Sequence, residues 1–157
     1  MPTNKSSGLI LTSSAFKEGG NIPREYTCDG ENKSIPLEIA GVPSGTASFV
    51  LTLEDPDVPS GTFDHWILYD IPAETRSIAE EMPKTTATTG IPGKNSAGTT
   101  EYVGPCPPTG THRYIFTLYA LDSKLSLPPA SAKSDVLQAA QGHVIGEARL
   151  MGRYGRL

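Results

Sequence analysis

The chain has 157 residues, of which 37% are hydrophobic and 19% charged, and its formal net charge is −4. That length fits one domain spanning residues 1–157, and that composition excludes a disordered chain. The basic residues form no cluster, which argues against nucleic-acid binding, and no apolar run approaches the roughly 20 residues of a membrane span. The 16 glycines and 14 prolines favour a loop-rich β fold over a helical bundle.

Three strands are predicted in the first third of the chain, at residues 8–13, 36–40 and 48–54. The apolar part of the first, residues 9–11 (LIL), is too short for the hydrophobic region of a signal peptide, so we expect a cytoplasmic protein. In that compartment Cys28 and Cys106 are expected to remain reduced thiols.

Residues 48–54 (SFVLTLE) are rich in apolar and β-branched side chains and predict a strand buried on both faces. Residues 55–59 (DPDVP) are expected to form a loop after it. Residues 65–71 (HWILYDI) predict the next core strand, which Pro72 ends, and residues 73–100 predict a long irregular segment.

A third core strand is predicted at residues 113–121 (RYIFTLYAL), and a last strand at residues 143–154. Between them, residues 134–141 predict the one helix, with Ser134 as its N-cap. The core strands predict eight buried side chains: Phe49, Leu51, Leu53, Ile67, Leu68, Phe116, Leu118 and Leu121.

Polar side chains cluster where the core strands begin or end. Asp55 and Asp57 follow one strand, His65 opens the next, and His112 and Tyr114 lie two residues apart at the start of the third. If these strands are antiparallel neighbours, the polar side chains converge at one end of a sheet and form a small pocket.

Each of these residues also has a structural interpretation. An aspartate in an Asp-Pro turn commonly caps its own backbone, which applies to Asp55 and Asp57. The histidines could be satisfied core residues, Tyr114 plain core, and Cys106 a small residue in a proline-rich loop.

Two segments taken together favour the functional interpretation of these residues over the structural one. Residues 55–59 with His65, and residues 104–108 (GPCPP) with residues 112–114 (HRY), resemble the two signature regions of the phosphatidylethanolamine-binding protein family, which includes Raf kinase inhibitor protein. The resemblance extends from about residue 16 to residue 154. Residues 26–30 (YTCDG), 118–122 (LYALD) and 142–143 (GH) resemble the smaller bacterial and archaeal members.

The resemblance implies an antiparallel β-sandwich with one or two short peripheral helices and a small anion pocket at one end. We expect no cofactor, no metal and no catalytic residue, since the histidines have neither a nucleophile of assured geometry nor a third ligand at metal-binding spacing. The ligand-binding residues that the resemblance implies are Asp55, Asp57, Pro59, His65, Cys106, His112 and Tyr114, with Asp57 mainly shaping its loop.

The leading hypothesis is therefore a protein that binds a small anion such as phosphate or a phosphomonoester head group, with a kinase as an unproven protein partner and a homodimer left open. The alternative is a hydrolase that uses Asp55, His65 and His112 in the same pocket, with Cys106 as a candidate nucleophile. A metal site at these aspartates and histidines is a minor option. We also expect Asp55 to raise the pKa of the pocket histidines.

Overall fold

The structure is a computed structural model that describes residues 8–80 and 90–156. Its elements in chain order are β1 (Ile10–Thr12), a 3-10 helix (Arg24–Tyr26), β2 (Leu37–Ala40), β3 (Ser48–Val58), β4 (Gly61–Pro72), β5 (Ser77–Ile78), β6 (Ile91–Pro92), β7 (Gly110–Leu121), α1 (Lys133–Ala140) and β8 (Val144–Arg156). Within these residues, one antiparallel sheet has the order β1-β2-β5 and the other β6-β4-β3-β7-β8. The predicted mainly-β sandwich is confirmed.

Strand β3 lies at the centre of the large sheet. It pairs with β4 on one side and with β7 on the other, so that Leu51 lies opposite both Leu68 and Leu118. Successive side chains point to opposite faces, and Leu51 and Val50 belong to two separate buried clusters. The predicted burial of this strand on both faces is confirmed.

Each face of the large sheet has its own covering layer. The small sheet covers one face, where Leu11 and Ile39 pack against the main core. Helix α1 covers the other face with Val136 and Ala140, which pack with Tyr69. The eight side chains predicted to be buried are all buried: Phe49, Leu51, Leu53, Ile67, Leu68, Phe116, Leu118 and Leu121.

The prediction that residues 55–59 form a loop is wrong for most of that segment. Strand β3 continues to Val58, which pairs with Gly61 of β4, and the turn itself is short. Pairing with β4 keeps the segment extended, and an irregularity in the register between Asp55 and Val58 accommodates Pro56, which has no N–H group to donate. Strand β7 likewise begins earlier than predicted, at Gly110.

The predicted helix is confirmed, but its predicted cap is not. Ala132, not Ser134, occupies the N-cap position, and no side chain caps the helix there. Tertiary contacts hold the first helical residue instead, since the ammonium of Lys133 lies 2.7 Å from Glu54 and 2.6 Å from Asp64. Of the irregular segment predicted at residues 73–100, the structure shows β5 and β6, and residues 81–89 lie outside the described residues.

The expectation of two reduced cysteines is wrong, because Cys28 and Cys106 form a disulfide. Their Cα atoms are 5.5 Å apart, and the backbone N–H of Cys28 donates a hydrogen bond to the carbonyl of Pro105. Residues that are 78 positions apart in the sequence are therefore neighbours in the fold, which spacing alone did not reveal. Among the described residues, no helix has the length and apolar character needed to cross a membrane.

The central position of β7 makes a testable prediction. Replacing the fully buried Phe116 by Ala should cost about 3–5 kcal/mol of unfolding free energy, since it removes a large apolar side chain and leaves a cavity. The matched control is Ile10→Ala on β1, where the side chain is 52% exposed and the expected loss is within about 0.5 kcal/mol. Urea unfolding followed by Trp66 fluorescence measures both. Equal losses for the two variants would contradict the central placement of β7.

Candidate ligand-binding site

A pocket of about 200 Å³ opens at one end of the large sheet. Strand β3 contributes Asp55, β4 contributes His65, and β7 contributes His112 and Tyr114. The remaining lining comes from the end of the β3–β4 hairpin and from the segment before β7: Val58, Phe63, Val103, Cys106, Pro107 and Pro108. The predicted convergence of polar side chains from three antiparallel strands is thus what the structure shows.

Asp55 and His112 form the polar base of the pocket. His112 Nδ1 lies 2.6 Å from Asp55 Oδ2, and the two residues are only 8% and 2% exposed. The other oxygen of Asp55 accepts a hydrogen bond of 2.8 Å from the backbone N–H of Asp57. With Nδ1–H donating to the carboxylate, the second ring nitrogen of His112, Nε2, is left for a ligand.

A β-bulge brings His65 into the pocket. Leu53 of β3 pairs with Trp66, but the next residue of β3, Glu54, pairs with Asp64, so His65 is the extra residue on β4. As a result His65 and its neighbour Trp66 are both buried. His65 Nδ1 lies 2.6 Å from the carbonyl of Val103, whose N–H donates to the carbonyl of His65 in return.

Burial lowers the pKa of His65, and this effect outweighs the carbonyl of Val103 and the charge of Asp55, which raise it. Asp55 therefore acts in the expected direction, but burial reverses the net shift, which the sequence did not predict. Asp55 is hydrogen-bonded to His112 and not to His65, so its effect on His65 acts at a distance. His65 is neutral near pH 7, and since Nδ1–H donates to Val103, its Nε2 is an acceptor.

The hydroxyl group of Tyr114 is buried, and none of the described residues forms a hydrogen bond with it. Asp55 and the backbone of Cys106 lie beside the hydroxyl and interact with it electrostatically, but neither forms a hydrogen bond of good geometry with it. Burial first, and then the negative charge of Asp55, raise the pKa of Tyr114, so the phenol keeps its proton and remains a donor. An unsatisfied buried hydroxyl is unfavourable, and a ligand oxygen in the pocket would remove that cost.

Asp57 and Pro59 do not line the pocket. The carboxylate of Asp57 binds the guanidinium of Arg113 through two hydrogen bonds of 3.0 and 2.8 Å and also accepts the N–H of Arg113 at 2.8 Å. The hydrogen bonds from Arg113 lower the pKa of Asp57 to about 2. Asp57 thereby joins the end of β3 to β7, and Pro59 lies in the turn that follows β3.

Part of the apolar lining was not among the predicted site residues. Phe63 precedes His65 by two residues on β4, so strand alternation could have placed both on one side, and their rings are 4.8 Å apart. Pro107 and Pro108 flank Cys106 in the second segment and could have been found from that proximity. Val103 had no signal in the sequence, because its contact with His65 is made across the fold.

The arrangement does not support the hydrolase alternative. Cys106 is in a disulfide and so offers no thiolate nucleophile, and Asp55 is paired with His112 and not with His65. Within residues 8–80 and 90–156, no group of three or more His, Cys, Asp or Glu side chains is placed to hold a metal ion.

Comparison with known proteins agrees with the fold and with the two sequence segments. The family model of phosphatidylethanolamine-binding protein matches residues 12–155. A UPF0098 protein of Methanothermobacter thermautotrophicus is 47% identical over 150 residues, covering 94% of this chain and 99% of that protein. A UPF0098 protein of Aquifex aeolicus is 45% identical, covering 94% of this chain and 89% of that protein.

Solved structures lead to the same family. The crystal structure of a homologue of phosphatidylethanolamine-binding protein from Chlamydia trachomatis has a TM-score of 0.89 and 40% identity, covering 97% of this chain and 100% of that chain. The structure of Escherichia coli YbcL, described as a new member of the mammalian phosphatidylethanolamine-binding protein family, has a TM-score of 0.87 and 29% identity. It covers 96% of this chain and 99% of that chain. The chain belongs to the phosphatidylethanolamine-binding protein family.

The ion pair of Asp57 predicts a pH-dependent contribution to stability. Its pKa is lower in the folded chain, so the folded state binds fewer protons, and the stabilisation is present above about pH 4 and is lost as the pH falls towards about 2. Asp57→Asn should therefore be less stable than the unmodified chain at neutral pH, and the difference should shrink across this window.

Urea unfolding at a series of pH values measures this difference. Glu38→Gln is the control, because Glu38 is an exposed carboxylate on β2, far along the chain from Arg113. A difference between Asp57→Asn and the unmodified chain that stays constant down to about pH 2 would contradict an ionic role for Asp57.

Proposed function

We propose that this protein binds a small phosphoryl anion, namely phosphate or the head group of a phosphomonoester, in the pocket at the end of the large sheet. The observation that carries the proposal is the buried hydroxyl group of Tyr114, a donor without a partner among the described residues, beside two imidazole rings. Buried polar groups in folded proteins are nearly always hydrogen-bonded, so a donor left in this state favours a ligand acceptor.

The size of the pocket limits the ligand. A volume of about 200 Å³ is below the range of pockets that take drug-sized molecules, so it suits a phosphate or a head group. The apolar rim formed by Val58, Phe63 and Pro108 would contact the carbon atoms attached to such a group.

The charges of the pocket select the protonation state of the ligand. Asp55 would repel a bare dianion, although its contact with His112 partly offsets this charge. Neutral His65 offers an acceptor, whereas Tyr114 offers a donor. A phosphoryl group with one ionised oxygen and one P–OH group satisfies both, because the oxygen accepts from Tyr114 and the P–OH donates to an imidazole.

Replacing Tyr114 by Phe tests the proposal without disturbing the fold. The change removes a hydroxyl that has no partner in the described structure, so stability should stay the same or rise slightly, while affinity for inorganic phosphate should fall about 10- to 100-fold. Isothermal titration calorimetry measures the affinity, and urea unfolding measures the stability.

The matched control is Tyr69→Phe. Tyr69 is fully buried on the opposite face of the large sheet, and its hydroxyl donates to the carbonyl of Pro128. This variant should lose about 1 kcal/mol of stability and keep its phosphate affinity. Unchanged phosphate affinity in Tyr114→Phe would remove the observation on which the proposal stands.

A second test uses a monoanionic phosphodiester such as dimethyl phosphate, which carries no P–OH group. Such a ligand needs the protonated ring of His65 as a donor, so affinity should rise as the pH falls. Because burial lowers the pKa of His65, the increase should be centred below the ordinary imidazole value of about 6.5.

NMR titration of dimethyl phosphate between mildly alkaline and mildly acidic pH measures this dependence. His65→Ala should abolish most of the rise. His143→Ala should not, since His143 is exposed and paired with Asp122 outside the pocket. An affinity that increases with pH would sink this role for His65.

A kinase or other protein partner, a homodimer and a cytoplasmic location stay predictions that rest on the resemblance and the composition.

A further inference from the structure

The disulfide of Cys28 and Cys106 lies in the wall of the pocket. Cys106 lines the pocket directly, together with Pro107 and Pro108, and Cys28 does not line it. The disulfide therefore connects the segment that closes one side of the pocket, residues 103–108, to the segment around the 3-10 helix (Arg24–Tyr26). We call residues 103–108 the pocket wall.

The first half of the pocket wall is held by hydrogen bonds. The hydroxyl of Tyr102, just before it, donates to the carbonyl of Tyr26 at 2.8 Å, and the N–H of Gly104 donates to Asn32 Oδ1 at 3.0 Å. The carbonyl of Pro105 accepts the N–H of Cys28 at 3.2 Å.

The second half has a different chemistry. Pro107 and Pro108 have no N–H group, so two of the three residues in this half of the backbone cannot donate a hydrogen bond. The disulfide supplies a covalent connection within this proline-rich part of the pocket wall, and Cys106 is the residue through which it acts.

The other end of the disulfide is firmly placed. Thr27 is fully buried, its hydroxyl donates to the carbonyl of Arg24 at 2.8 Å, and it accepts the N–H of Asp29 at 3.2 Å. Cys28 lies between these groups, so the disulfide joins the pocket wall to a rigid support.

Both cysteines are exposed residues, although the pocket beside them contains buried groups. Exposed disulfides are the ones that thiols reach and reduce, whereas buried ones usually serve structure alone. Accessibility and position in the pocket wall together point to a regulatory role.

We propose that this disulfide is a redox switch of ligand affinity, an inference that rests on the proposed function. A dithiol reductant attacks the disulfide, forms a mixed disulfide and is then released as its own cyclic disulfide. Two electrons and two protons end on Cys28 and Cys106 as thiols. The pocket wall then loses its covalent connection, and its closed form becomes one of several conformations. Affinity falls in proportion to the population of the closed form, about tenfold if one molecule in ten remains closed.

The experiment compares dimethyl phosphate affinity at mildly acidic pH for the oxidised chain, for the chain reduced with dithiothreitol, and for Cys28→Ser. This variant removes the disulfide and leaves the pocket lining unchanged, because Cys28 does not line the pocket. We expect the reduced chain and Cys28→Ser to bind about tenfold more weakly than the oxidised chain. Dithiothreitol should not change the affinity of Cys28→Ser, and reoxidation should restore the affinity of the unmodified chain.

The outcomes separate the two proposals. If the oxidised chain binds neither dimethyl phosphate nor inorganic phosphate, the proposed function fails and the switch fails with it. If the oxidised and reduced chains bind equally well, the function stands and the switch is overturned. A near-UV spectrum of Trp66 and an amide NMR spectrum are recorded in both states, and global unfolding on reduction would also overturn a switch confined to the pocket wall.

Discussion

The pairing of β3 with both β4 and β7 is the constraint on which the pocket depends. Because both pairings are antiparallel, the end of β3 meets the start of β4 and the start of β7 at one end of the large sheet. Asp55, His65 and His112 come from three separate parts of the chain and meet only through this pairing. The same register places Leu51 between Leu68 and Leu118, so packing of the core and assembly of the site are set by one alignment of strands.

Two aspartates of one short segment have different roles because β3 is irregular there. Ideal alternation would place Asp55 and Asp57 on the same face of the strand. The register shift after Asp55 separates them, so that Asp55 is buried against His112 and Asp57 binds Arg113 near the surface. A buried carboxylate needs a partner that offsets its charge, and His112 provides it. Asp57 instead joins the end of β3, the strand that carries Asp55, to β7 through Arg113.

The two sides of the pocket are held in different ways. The strands hold Asp55, His65 and His112 through paired backbones, whereas the wall opposite them contains three prolines and is joined to the fold by a disulfide. In the proposed function, ligand affinity depends on both sides, since an open wall would let water compete for Tyr114. The family of the chain, the buried hydroxyl of Tyr114 and the exposed disulfide thus all concern this one pocket.

The sequence by itself determined the class of fold, the family, the core strands and most polar residues of the pocket. Apolar periodicity and the two motifs are local patterns, so they can be recognised from the order of the residues alone. The extent of β3 through Val58, the bulge that brings His65 beside Trp66, the pairing of Asp55 with His112 and the disulfide were decided only by the tertiary structure. Each of these joins residues that are distant in the chain or depends on strand register, and neither property is visible in local propensity. The shift in the pKa of His65 was likewise decided by the tertiary structure, since burial by other parts of the chain, and not the nearby Asp55, sets the direction of the shift.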